Sequence, residues 1–131
     1  MSDREDIIDV LVRYATGIDR RDWPLFRTVF TDDCVLDYGE IGQWNGVDAV
    51  TEFMDQSHAM AGHTMHRLSN HAIAVDSDTA VARTYVDALI MAQDNNSGVN
   101  GIGFYDDELI RTAAGWQIAR RRFTAVRVAN V

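Results

Sequence analysis

Near Gly62 the spacing of apolar residues changes, and that change narrows the folds open to this chain. Before it, apolar residues recur every three or four positions; after it, they alternate with polar ones to the C-terminus. Helices first and antiparallel strands after predict an α+β domain in which a curved sheet wraps the helices. A sheet bent that way encloses a pocket. With 131 residues, the chain can bury most of its apolar surface around one core, so a single domain over 1–131 is expected.

The first helix begins with a capping box, Ser2 followed by Glu5, and Ile7, Leu11, Tyr14 and Ile18 then share one side. Asp19 lies at the edge of that stripe and can look inward. A carboxylate beside apolar surface needs a partner or a shifted pKa, because burying it alone is costly. Gly17 and the run Arg20-Arg21-Asp22 close this helix, and Asp22-Trp23-Pro24 opens a second with Leu25, Phe26, Val29 and Phe30 on its inner side. Cys34 to Tyr38 reads as a short strand, and a glycine-bracketed hairpin carries Trp44. A third helix from Val47 turns Val50, Phe53 and Met54 to one side. Strands are then predicted over about 64–75, 79–93, 101–112 and 116–128.

A net charge of −8 argues against nucleic acid and against an anionic membrane surface, both of which need clustered cations. The twelve cationic side chains are all arginine. The densest group, Arg120-Arg121-Arg122, falls in a predicted strand and reads as a solvated edge. The lone cysteine, Cys34, permits no internal disulfide and suits a small core residue in a reducing cytoplasm. With no secretory leader or membrane-spanning apolar run visible, a cytoplasmic protein is expected.

In the first long strand His66 shares a face with Leu68, Asn70 and Ala72, and this face is the better candidate for the interior. A neutral imidazole inside a pocket is poised to accept a proton near neutral pH. Asp19 is its natural orienting partner, fixing the tautomer and stabilising the imidazolium that forms. Tyr14 and Tyr38 can each present a hydroxyl to a substrate oxygen. Tyr85 and Asp87 share a face of the second long strand and are candidates for the pocket wall, as are Phe53 and Phe104. His63 and His66, three apart on a strand, point to opposite faces, so no metal site is expected; His58 and His71 read as surface residues. Each of these side chains also has a structural reading, as a hydrogen-bonded or packed core residue.

Several runs together resemble a known family: Arg13-Tyr-Ala-Thr-Gly-Ile-Asp-Arg-Arg-Asp-Trp23, Phe30-Thr-Asp-Asp-Cys-Val-Leu-Asp-Tyr38, Gly46 before a helix, and Gly115-Trp-Gln-Ile118. They are similar to the SnoaL-like group of the nuclear transport factor 2-like superfamily, and the resemblance covers nearly the whole chain. It implies a cone-shaped α+β barrel, three N-terminal helices packed in a strongly curved mixed sheet around a deep apolar pocket, commonly as a homodimer. Scytalone dehydratase, bile acid 7α-dehydratase and hexachlorocyclohexane dehydrochlorinase pair a helix aspartate with a strand histidine, and Asp19 and His66 match those positions. Tyr14 matches a tyrosine of the bile acid enzyme and resembles the oxyanion-polarising tyrosine of ketosteroid isomerase; Tyr38 matches a second tyrosine of scytalone dehydratase. Ile90, Gly103 and Tyr105 stand where scytalone dehydratase has a histidine, a serine and an asparagine, which argues against that substrate.

The reading carried forward is a cofactor-independent lyase with no metal, acting on a small apolar or cyclic substrate. An isomerase like ketosteroid isomerase, a polyketide cyclase and a non-catalytic binding or dimerisation module are the alternatives. Epoxide hydrolysis would need a carboxylate–arginine–carboxylate set that the sequence does not assemble.

Overall fold

The computed structural model describes residues 2–131. Helix α1 spans Asp3–Asp19, α2 Trp23–Arg27 and α3 Val47–His58; the strands are β1 Phe30–Asp37, β2 Gln43–Asn45, β3 Ala61–Asp76, β4 Thr79–Ala92, β5 Gly98–Thr112 and β6 Gly115–Asn130. The N-cap of the predicted capping box forms: Ser2 Oγ accepts the Glu5 backbone N–H at 3.2 Å, which satisfies a donor that the helix leaves free. Ile7, Leu11, Tyr14 and Ile18 are all at most 1% exposed. Gly17 lets α2 lie against α1, since a Cβ there would stand 2.9 Å from Phe26 Cα. The second helix is shorter than the apolar spacing suggests. Its predicted inner residue Phe30 instead opens β1, where it remains in the core.

The six strands form one mixed sheet in the order β2-β1-β6-β5-β4-β3, with β1 parallel to β6 and the other pairs antiparallel. The three helices pack on one side of it. Four bulges bend the long strands around them: two in β3, near Gly62 and near Asn70, and two in β6, near Ala119 and Val126. Each inserts one residue and so reverses which side chains face the helices beyond it. Among the described residues, no helix is long and apolar enough to cross a membrane.

Two of these reversals overturn sequence expectations. Alternation from His66 puts Asn70 and Ala72 inside, but Asn70 adopts φ 54° at the bulge and the inward positions become His71 and Ile73. His71 is half-buried and its Nδ1 lies 3.0 Å from Thr84 Oγ1, not on the open surface. The arginine run is no solvated edge, because β6 lies between β1 and β5. After the Ala119 bulge, Arg121 points into the core at 3% exposure while Arg120 and Arg122 stay outside. Cys34 is fully buried, and burial pushes its thiol up to about 11.

Candidate active site

Asp19 is the last residue of α1. A carboxylate there meets the negative end of the helix dipole, which is the unfavourable sign; contacts from β3 hold it in place. Its Oδ2 accepts the His66 backbone N–H at 2.9 Å, and its Oδ1 accepts the Thr64 hydroxyl at 2.9 Å and lies 2.8 Å from His66 Nδ1. Arg21, in the left-handed region at φ 55°, ties the same corner by donating to Thr64 Oγ1 and to the Gly62 carbonyl, each at 2.8 Å. Burial pushes the Asp19 carboxyl up, but the hydrogen bonds from His66 and Thr64 outweigh it and leave its pKa below the ordinary value. An ionised Asp19 can only accept, so His66 carries its proton on Nδ1 and keeps a lone pair on Nε2. That Nε2 has no hydrogen-bond partner among the described residues and is not one of the sealed polar atoms.

The tyrosines meet across the core. Tyr14 from α1 and Tyr38, just past the end of β1, stand hydroxyl to hydroxyl at 2.6 Å. Burial raises both pKa values, so each stays a neutral O–H; one donates to the other and the second keeps a proton to give. The Tyr14 and His66 rings meet edge to face, their centres 6.4 Å apart. Beneath the tyrosines lies Arg121, its guanidinium 4.2 Å from the Tyr14 ring centre and 3.8 Å from that of Tyr105. Asp107 holds it by two bonds of 2.7 and 3.0 Å. Burial works against the charge on Arg121, but the Asp107 carboxylate outweighs it and keeps the pKa well above its ordinary value.

Tyr14, Tyr38, Tyr105, His66 and His58 border a cavity of about 280 Å³, in a wall otherwise made by apolar side chains such as Ile18, Phe53, Met54, Val86 and Phe123. A larger depression of about 790 Å³ lies over the outer face of the sheet. Its charged side chains pair with one another, as in Arg83–Asp106, Arg120–Glu108 and the buried Arg121–Asp107 pair at its base, and it contains none of the eight residues singled out from sequence. Among the described residues, no group of three or more His, Cys, Asp and Glu side chains is placed to hold a metal ion.

Of the eight residues singled out from sequence, His66, Tyr14, Tyr38 and Phe53 border the cavity, and Asp19 reaches it through His66. Tyr85, Asp87 and Phe104 do not. On β4 the buried partners Thr84 and Val86 take the inner face, so Tyr85 and Asp87 must face outward. Tyr85 is 49% exposed, and Asp87 bonds Arg67 and Asn100 on the outside. Phe104 lies under the Arg83 guanidinium, 4.3 Å from ring centre to Cζ. Sequence reasoning missed three residues. Arg121 follows from bulge-corrected parity, which no local pattern reveals; Tyr105 lies on β5, which has no insertion, and plain alternation with Leu109 puts it inside. His58 carried a signal, since it extends the α3 stripe of Val50 and Met54 by another four residues, and it is only 8% exposed.

Three helices within a curved mixed sheet, with titratable groups at the base of an apolar cavity, define a pocketed protein of the cystatin-like, nuclear transport factor 2-like class. Within that class the chain belongs to the SnoaL-like domain family, whose sequence model matches residues 1–122. An uncharacterised protein of Mycobacterium tuberculosis is 32% identical over 123 residues, covering 92% of this chain and 84% of its own length. A Novosphingobium aromaticivorans structure, provisionally termed an aromatic ring hydroxylase, is 30% identical with a TM-score of 0.90 over 98% of this chain and 93% of that one. A second structure from that organism, provisionally termed a scytalone dehydratase, shares the fold at 20% identity, with a TM-score of 0.90 over 98% of this chain and 87% of its own.

Proposed function

We propose that the chain is a cofactor-independent lyase of the dehydratase type, acting on a small apolar or cyclic carbonyl compound. One observation carries this reading: His66 Nδ1 is held 2.8 Å from Asp19 Oδ1, while the ring borders the same cavity as the coupled Tyr14 and Tyr38 hydroxyls. His66 Nε2 takes a proton from the carbon beside the carbonyl, and the C–H electron pair moves into an enolate. Asp19 stabilises the imidazolium, and the free hydroxyl proton of the Tyr14–Tyr38 pair meets the enolate oxygen. The enolate then re-forms the carbonyl and expels the β-hydroxyl, which takes the proton from His66 and leaves as water. A positioned base supplies roughly 10²–10⁴-fold and an oxyanion donor roughly 10²–10³-fold, enough for an activated C–H acid.

Isomerisation and aldol-type cyclisation share the first step and differ only in where the enolate's electrons go. The test therefore begins with that step. The protein is incubated in deuterated water with cyclic ketones and β-hydroxy ketones, beside His66→Ala and Asp19→Asn, and label uptake and water loss are followed by mass spectrometry. Deuterium uptake that both folded variants abolish supports the base; water loss selects the lyase, while uptake with no water loss points to isomerisation or cyclisation. Silence from all ketones, with variants that are merely less stable, favours the binding module. Products that gain oxygen would favour the activity named for the 30%-identical neighbour.

A further inference from the structure

Thr64 has no part in the proton transfer above, yet it shares the carboxylate on which that step depends. Residues two apart on a strand point the same way, so Thr64 and His66 of β3 reach Asp19 from one face. Thr64 is 6% exposed, and its hydroxyl lies between Arg21 Nη1 at 2.8 Å and Asp19 Oδ1 at 2.9 Å. A guanidinium can only donate, and an ionised carboxylate can only accept. The hydroxyl therefore receives a hydrogen bond from Arg21 and gives its own proton to Asp19. No other direction satisfies both contacts.

Arg21 is committed to this corner. Besides Thr64 it donates to the carbonyls of Gly62 at 2.8 Å, Ile18 at 3.2 Å and Asp19 at 3.3 Å, and among the described residues to no carboxylate. Two of those carbonyls end α1, so the cation stands at the negative end of the helix dipole and offsets the unfavourable field on the Asp19 side chain. The carboxylate itself has three donors. The His66 backbone N–H holds Oδ2 and the Thr64 hydroxyl holds Oδ1, so the ring Nδ1–H meets an acceptor already in place. Without Thr64, the imidazole alone would hold Oδ1, and carboxylate and ring could turn together.

We propose that Thr64 is a positioning residue for the His66–Asp19 dyad: Arg21 commits the Thr64 proton to Asp19 Oδ1, and that bond fixes the carboxylate against which the His66 ring is oriented. Thr64 touches no substrate in this role and acts only through Asp19. The role rests on the dyad being the base of the reaction proposed above, whereas the bond itself is measured without turnover.

The bond is read by NMR at neutral pH, with every variant checked for folding by circular dichroism. A buried hydroxyl proton given to a carboxylate exchanges slowly with water, so the wild type should show a Thr64 hydroxyl resonance, identified by its absence from Thr64→Val. Arg21→Gln brings an acceptor as well as donors, offers the hydroxyl a second direction, and should weaken or remove that resonance. A resonance missing from the wild type, or unchanged in Arg21→Gln, overturns the proposal. The consequence for the base is read on a ketone that exchanges deuterium. Thr64→Val should lower the rate at saturating ketone by about tenfold, the scale of one hydrogen bond to a charged group, and leave KM within about twofold. Thr64→Ser keeps the hydroxyl and should restore most of the rate. A full rate in folded Thr64→Val, or a loss that Thr64→Ser does not repair, overturns the positioning role. Silence from every ketone overturns it through the dyad itself, and the hydroxyl resonance then reports separately on the bond.

Discussion

Asp106 and Asp107 are neighbours on β5, and each grips an arginine with the same geometry. Asp107 receives Arg121 Nε and Nη2 at 2.7 and 3.0 Å, and Asp106 receives Arg83 Nε and Nη2 at 2.7 and 3.0 Å. One pair lies inside the cone, with side chains 1% and 0% exposed; the other lies outside, at 52% and 39%. Bond lengths therefore do not distinguish them. Water does: the outer charges remain solvated and screened, whereas the inner charges have only each other, and for Arg121 the Tyr14 and Tyr105 rings, to offset a large desolvation cost. Strand parity assigns adjacent acids to these two environments. The inner pair underlies Tyr14 and Tyr105 and so shapes the floor of the cavity, while the outer pair belongs to the solvated face.

The largest expected contrast between the faces is in catalysis. On a ketone that exchanges, His66→Ala should lose about 10²–10⁴-fold in the rate of deuterium uptake, whereas Tyr85→Phe and Asp87→Asn on the outer face should leave it within about twofold. A rate that followed the outer substitutions would break the assignment of the cavity.

Stability comes next. Asp107→Ala strands a buried guanidinium and should cost about 3–5 kcal/mol in denaturant unfolding, while Asp106→Ala should scarcely move the midpoint. Replacing both inner partners, as Arg121→Met with Asp107→Leu, should recover most of the loss, because no unpaired charge is then left inside. A double variant as unstable as Asp107→Ala would show that packing around Tyr14, not charge, sets the inner cost.

A smaller effect is expected from pH. Burial lowers the His58 pKa below its ordinary 6.5, so below that pH the unfolded chain takes up a proton that the folded chain resists. Folding stability should therefore fall as pH drops from 6.5 toward the lowered value, and the wild type should lose more than His58→Phe over this window. Equal slopes in the two proteins would mean that His58 titrates freely.

The smallest effect belongs to salt. Raising ionic strength should weaken the contribution of Arg83–Asp106, so that Arg83→Ala and the wild type converge in unfolding midpoint; the deficit of Asp107→Ala should persist.

Much of this architecture is local in origin. Ser2, Glu5 and the stripe from Ile7 to Ile18 determine α1 and set Asp19 at its inner edge, because helical periodicity and capping act within a few residues. The start of β3 is likewise legible: Thr64, His66 and Leu68 alternate inward, which brings His66 to Asp19 as alternation requires. On β4 the same rule, applied from Thr84 and Val86, would have sent Tyr85 and Asp87 outward.

Tertiary structure decided what lies beyond each bulge. A sheet that must curve around three helices inserts residues at Asn70 and Ala119, and each insertion reverses parity over the rest of its strand. His71 and Arg121 thereby turn inward although nothing in their own neighbourhoods announces it. The Tyr14–Tyr38 hydroxyl contact and the meeting of Arg121 with Asp107 also depend on elements distant in sequence. Local patterns thus determined which side of each element is apolar; the closure of the sheet decided which polar groups are enclosed, because strand parity is a local property only until curvature interrupts it.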